Sequence, residues 1–187
     1  MAIEFNLPTN ITLLRIALIP LLTVVFYLPW HYSNIACTLI FIIAGFTDWL
    51  DGYLARKMNM ETPFGAFLDP VADKLMVAMV LVLLVQQQGS PYLAIPAAII
   101  IGREITIASL REWMAEIGQR ATVSVSKLGK WKTAVQMISI GLLLYREDLL
   151  GMPVNSVGYG LLYVAALLTL WSMVKYLKAA LSAIAKN

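Results

Sequence analysis

The sequence predicts an all-α membrane protein, a bundle of six transmembrane helices, on three observations. Of its 187 residues, 60% are hydrophobic and only 13% are charged, against roughly 45–50% apolar and about 25% charged in soluble domains. The apolar residues fall in six long runs, each close to the about 20 residues that cross a hydrocarbon core. The runs also lack the alternating pattern of membrane strands, which leaves helices.

The first run, Ile11 to Leu28, has no small-residue cleavage site and is read as a retained helix and not as a removable signal peptide. Before it, Ile3, Phe5 and Leu7 alternate with more polar neighbours, so Ala2 to Pro8 is read as a short interfacial helix on the membrane surface. Pro29, His31 and Ser33 break the chain before the second run, Asn34 to Arg56. Pro63 and Gly65 separate it from the third, Phe67 to Gln88, and Gly89 to Pro91 precede the fourth, Tyr92 to Gly118. The fifth, Leu128 to Tyr145, and the sixth, Val157 to Lys178, flank Gly151, Pro153 and Asn155. With short gaps, no internal repeat and no low-complexity segment, residues 1–187 read as a single domain.

Orientation follows from the cations, which are retained on the cytoplasmic side. An N-terminus inside puts Arg56, Lys57, Arg120, Lys127, Lys130, Lys132, Lys178 and Lys186 on that face and leaves Arg146 opposite. The net charge of +3 is thereby concentrated where it suits anionic headgroups or a phosphorylated substrate. Cations that flank membrane spans, without a soluble basic domain, argue against nucleic-acid binding. Cys37 is the only cysteine and lies inside a predicted span, which excludes a disulfide within one chain.

The acids carry the chemistry. Asp48 and Asp51 lie inside an apolar run, and Asp69 and Asp73 near the start of the next. A charge deep in the membrane costs roughly 2.5–3.5 kcal/mol on insertion scales, so four carboxylates imply a compensating cation. Spacings of three and four residues put each pair on one helix face. The short loop between the helices predicts that they pack antiparallel, with Asp51 level with Asp69 and Asp48 level with Asp73. Four hard oxygen donors suit Mg²⁺ or Mn²⁺, and Asp69 or Asp48 can bridge two ions. Gly52 and Gly65 clear space for a phosphate or nucleotide, and Arg56 stands where a guanidinium can clamp phosphate oxygens. Each glycine taken alone is better explained by packing, and Arg56 taken alone by a membrane anchor.

Residues 48–73 read D-W-L-D-G-Y-L-A-R-K-M-N-M-E-T-P-F-G-A-F-L-D-P-V-A-D. This resembles the signature of the CDP-alcohol phosphatidyltransferase family, D-x2-D-G-x2-A-R-x8-G-x3-D-x3-D, with every fixed position present. The stretches Leu7–Ile16, Phe64–Lys74, Arg103–Ala115 and Gly129–Thr133 resemble bacterial members that use glycerol 3-phosphate as acceptor. The chain departs from many members at Thr9, where they carry Asn.

The resemblance implies transfer of the phosphatidyl group of CDP-diacylglycerol to an alcohol with release of CMP, in a homodimer of the bacterial inner (cytoplasmic) membrane. It implies that Asp48, Asp51, Asp69 and Asp73 hold Mg²⁺ or Mn²⁺, as a pair of ions, with Asp73 also the general base and Asp69 and Arg56 assisting catalysis. It implies that Thr12, Asp48, Gly52, Arg56, Thr62 and Gly65 line the CDP-diacylglycerol site. A phosphorylated acceptor needs cations of its own. Arg103 and Arg111, about two helical turns apart, are expected to supply them with Lys130 and Lys132, although Arg103 also has Glu104 beside it as a partner.

Two other readings predict different features. Inositol phosphate, serine or phosphatidylglycerol as acceptor would use the same aspartates, and the cationic set favours an acceptor that bears phosphate. A cation or proton transporter would continue its polar residues to the far face, yet Ile35–Phe46 and Leu75–Leu84 carry no charge.

Overall fold

The structure, a computed structural model, describes residues 6–58, 62–118, 127–148 and 151–184, and their side chains except those of 55, 56, 127–130, 183 and 184. These residues form six α-helices: α1 (Leu7–Tyr27), α2 (Ser33–Met58), α3 (Pro63–Gln88), α4 (Pro91–Glu116), α5 (Lys127–Tyr145) and α6 (Val154–Ile184). Four of the six are long and apolar enough to cross a membrane: α1, Ser33–Leu54 of α2, α4, and Val154–Ser182 of α6. The six predicted helices are therefore present, while the expectation of six spans is met in length and composition by four. The other two are α3, which carries Asp69, Asp73 and Lys74 in its first half, and α5, which opens on Lys127, Lys130 and Lys132.

Polar side chains placed ahead of prolines set the helix starts. Asn6 Oδ1 accepts from the Thr9 amide at 3.0 Å, Thr62 Oγ1 from the Gly65 amide at 3.0 Å, and Ser90 Oγ from the Tyr92 amide at 3.3 Å. Each cap precedes a proline in the first helical positions, where its missing N–H costs nothing. Gly89 ends α3 in the left-handed conformation, φ 56°. Of the stretch Ala2 to Pro8 expected as an interfacial helix, Asn6 to Pro8 form the cap and first turn of α1, and residues 2–5 lie outside the described residues.

The helices run alternately up and down. Tyr27 donates to Gln86 Oε1 at 3.3 Å, Asn34 Nδ2 to the Tyr145 carbonyl at 2.9 Å, and Tyr159 to Gln88, so the ends of α1, α3 and α5 meet the starts of α2 and α6. Leu22, Phe41, Val80, Leu84, Ile100 and Leu143 form the core between them, and Cys37 is buried there. Val24, Ile43, Val82, Ile105 and Leu167 point outward, as lipid-facing residues do. Exposed aromatics mark both ends, Tyr27, Trp30, Tyr32 and Tyr92 at one and Trp49, Tyr53, Trp113, Trp131 and Trp171 at the other. Such girdles occur at the two membrane interfaces.

One packing expectation changes. The acid-bearing helices α2 and α3 touch each other little, and α1 packs extensively against both. Like charges on two facing helices repel, and α1 relieves this by inserting Thr12 and Arg15 between them.

Candidate active site

The site is built at the end of the bundle where α1 and α3 begin and α2, α4 and α6 finish. Arg15, on α1, is 1% exposed, and its guanidinium forks across two acids. Nη1 donates to Asp48 Oδ1 at 2.7 Å and Nη2 to Asp51 Oδ2 at 2.5 Å. One helical turn earlier, Thr12 Oγ1 lies 2.6 Å from Asp69 Oδ1, 3.1 Å from Asp51 Oδ2 and 3.2 Å from the Pro8 carbonyl. Asp48, Asp51 and Asp69 are thus tied into one network by α1, with Asp51 and Asp69 at one depth as their spacing predicts.

That network is short of positive charge. A hydroxyl carries one hydrogen, yet three oxygen acceptors surround Thr12 Oγ1, and only Asp69, the nearest, can have it fully. Arg15 uses one oxygen of each of Asp48 and Asp51, and every carboxylate presents a second. Among the described residues no three of these acids already form a cage for an ion. The donor set, hard oxygens in excess over hydrogens, nevertheless fits a divalent cation of the Mg²⁺ or Mn²⁺ type.

Asp73 takes a different position. It lies within electrostatic reach of Asp48 and Arg15 on one side and of Glu104 and Lys74 on the other. Its carboxylate lines a small cavity of about 60 Å³ together with Lys74, Glu104, Lys132 and Gln136. This cavity shares Lys74, Glu104, Lys132 and Thr133 with a larger one of about 240 Å³, which adds Arg103, Arg111, Ser172 and Tyr176. The expected acceptor cations Arg103, Arg111 and Lys132 therefore converge on one hollow that leads to Asp73. The side chain of Lys130 lies outside the described residues.

Within the hollow, Glu104 Oε1 accepts from Arg103 Nη1 at 2.9 Å and from Lys132 Nζ at 2.5 Å. The partner foreseen for Arg103 is thus present and also captures Lys132. Arg103 Nη2 donates to Ser172 Oγ at 2.9 Å, and Arg111 Nη2 to the Tyr176 hydroxyl at 3.2 Å, while the Tyr176 ring lies beneath both guanidiniums. These contacts set the planes of two guanidiniums, and the exposed Arg111 keeps further N–H donors free to meet a ligand.

On the other flank the caps of α1 and α3 meet. Thr9 donates to Asn6 Oδ1 at 2.7 Å and lies 3.3 Å from Thr62 Oγ1. Gly65 eases this approach, because a Cβ there would stand 3.0 Å from Thr62 Oγ1 and 3.3 Å from Thr9 Oγ1 and would push both hydroxyls aside. Gly52 is half-buried on α2, and the side chain of Arg56 lies outside the described residues. Reasoning along the sequence did not find Arg15, Tyr176, Ser172 or Gln136. The only available signal was their polarity inside apolar runs.

Known proteins resemble the chain over nearly its whole length. Residues 5–171 match the model of the CDP-alcohol phosphatidyltransferase family. A Haemophilus influenzae protein named CDP-diacylglycerol–glycerol-3-phosphate 3-phosphatidyltransferase is 52% identical over 184 residues, 98% of either chain. Proteins of the same name from Salmonella choleraesuis and Pectobacterium atrosepticum are 52% identical over 177 residues, 95% of this chain and 96% of each relative.

Proposed function

The chain belongs to the CDP-alcohol phosphatidyltransferase family, and from that premise we propose that it transfers the phosphatidyl group of CDP-diacylglycerol to sn-glycerol 3-phosphate, giving phosphatidylglycerophosphate and CMP. The observation that carries this reading is the hollow in which the acid network and the paired cations of α4 and α5 meet at Asp73.

The donor's CDP group sits over the cap junction of α1 and α3, where Thr62, Gly65 and Thr12, with Gly52 and Arg56 of α2, line its path. Asp48, Asp51, Asp69 and Asp73 would hold Mg²⁺ or Mn²⁺, as a pair of ions, which would supply positive charge to offset the pyrophosphate and make CMP a better leaving group. Arg15 keeps Asp48 and Asp51 in register while that charge is shared.

The acceptor enters on the opposite side. Arg103, Arg111 and Lys132, with Lys130, bind its phosphate and fix its orientation, which lowers the entropic part of the barrier. Asp73 takes the proton of the 1-hydroxyl. The oxygen then attacks the phosphorus that bears diacylglycerol, and the bond from that phosphorus to CMP breaks. The cations at the helix ends support a cytoplasmic site in a bacterial inner membrane, and family membership supports a homodimer.

The reading is tested by CMP release from CDP-diacylglycerol in mixed micelles, with glycerol 3-phosphate, inositol phosphate, serine or phosphatidylglycerol as acceptor. Turnover is expected with glycerol 3-phosphate and is expected to cease with chelator. No product above buffer with glycerol 3-phosphate removes the acceptor assignment, and turnover that ignores chelator removes the metal.

A further inference from the structure

Gln136, on α5 one turn beyond Lys132, is 5% exposed, and among the described residues its Oε1 is buried without a hydrogen-bond partner. It lines the small cavity together with Asp73, Lys74, Glu104 and Lys132. An unpaired buried amide oxygen is unfavourable, and such groups in native proteins are satisfied by structure, by water or by a ligand. The polar groups beside it in that wall are largely charged, Asp73 and Glu104 anionic, Lys74 and Lys132 cationic. A neutral amide oxygen accepts a hydrogen bond without calling for a counter-charge, which suits a neutral donor such as a hydroxyl.

We propose that Gln136 accepts a hydrogen bond from the secondary hydroxyl of the acceptor, and so selects a vicinal diol phosphate over its deoxy counterpart. The inference rests on the acceptor reading above and deepens it. With the phosphate at Arg103, Arg111 and Lys132 and the attacking 1-hydroxyl at Asp73, the middle carbon of a three-carbon acceptor lies between them. Gln136 lines the small cavity between Asp73 and Lys132, at the Asp73 end of that path. The contact fixes the rotation of the chain about its centre, which decides whether the 1-hydroxyl reaches Asp73. A site built to pair a hydroxyl rejects an analogue that lacks it, because the buried oxygen is then left unsatisfied.

The test compares CMP release with sn-glycerol 3-phosphate and with 3-hydroxypropyl phosphate, which lacks only the secondary hydroxyl, in the wild type and in Gln136→Leu. The wild type is expected to favour glycerol 3-phosphate in kcat/KM by about tenfold or more. In Gln136→Leu that ratio is expected to fall close to one, with the loss confined to glycerol 3-phosphate. Equal loss on both substrates would mark Gln136 as a packing residue and overturn the proposal. So would a wild type that uses both equally, a result that needs no folded variant. A wild type that releases no CMP with glycerol 3-phosphate is a different outcome: it removes the acceptor reading and the assignment of Gln136 with it.

Discussion

Replacement of Arg15 by methionine removes the cation that α1 places between Asp48 and Asp51, and the two arms of that fork differ in strength. Asp51 is 2% exposed, so its arm is a buried pair whose one-sided loss costs about 3–5 kcal/mol, much of it the unpaired charge left behind. Asp48 is 46% exposed, so its arm adds no more than about 1 kcal/mol. For a chain of this size, roughly 2–4 °C per kcal/mol turns the buried arm alone into a fall in melting temperature of roughly 6–20 °C. Cys37, the only cysteine and 1% exposed, reports the transition, because a thiol-reactive dye gains access to it only on unfolding. Arg15→Met with Asp51→Asn leaves neither charge stranded and is expected to melt above Arg15→Met alone, with a coupling of several kcal/mol. A single variant within about 2 °C of wild type, or a double variant as unstable as the sum of its parts, refutes the wedge.

Asp73→Asn keeps the shape of the acid but not its basicity, so CMP binding by calorimetry should persist while turnover falls by about 10²-fold or more; equal loss of both would reduce Asp73 to a ligand. Glu104→Gln frees Arg103 and Lys132 from the carboxylate they share, and the KM for glycerol 3-phosphate and the Ki of inorganic phosphate should both fall. A rise in both would show that Glu104 only holds the two cations apart. Gly65→Ala sets a helix gain of about 0.5–1 kcal/mol against a disturbed Thr62 cap worth about 1 kcal/mol, so the melting temperature should hardly move. Its methyl would nevertheless press on Thr62 and Thr9, and the affinity for CMP should drop; unchanged affinity would place the nucleotide elsewhere.

The helices were legible because a bilayer imposes length and apolarity on each run, and Asp48, Asp51, Asp69 and Asp73 were legible because that setting makes acids conspicuous. Arg15 was not. Its partners lie 33 and 36 positions away, and within its own run a lone arginine reads as an anchor. The insertion of α1 between α2 and α3 was hidden for the same reason, since a short loop predicts that its two helices touch and says nothing of a third. Arg103 was foreseen beside Glu104 and does pair with it, but Lys132 of α5, which completes the cluster, lies 28 positions beyond Glu104 and could not be joined to it by local spacing. Gln136 needed the cavity, because an amide in an apolar run gives no hint of what its oxygen meets.

In the proposed reaction, these pairings would also keep two like-charged ligands apart at one bundle end. Two phosphate-bearing molecules approaching one another repel, and in a site of low dielectric the repulsion is strong. The α1–α2–α3 side presents excess acid, which on the proposed reading would take up added cations before an anionic donor settles. The α4–α5–α6 side presents cations tempered by Glu104, which on the same reading an anionic acceptor would engage directly. Asp73 is in electrostatic contact with both sides, so in the proposed reaction the proton it removes would leave the acceptor where the two fields meet. Moving one charge, as in Glu104→Gln or Arg15→Met, should therefore alter binding on its own side first, and the separation of those effects in acceptor KM and in CMP affinity measures how independent the two halves are.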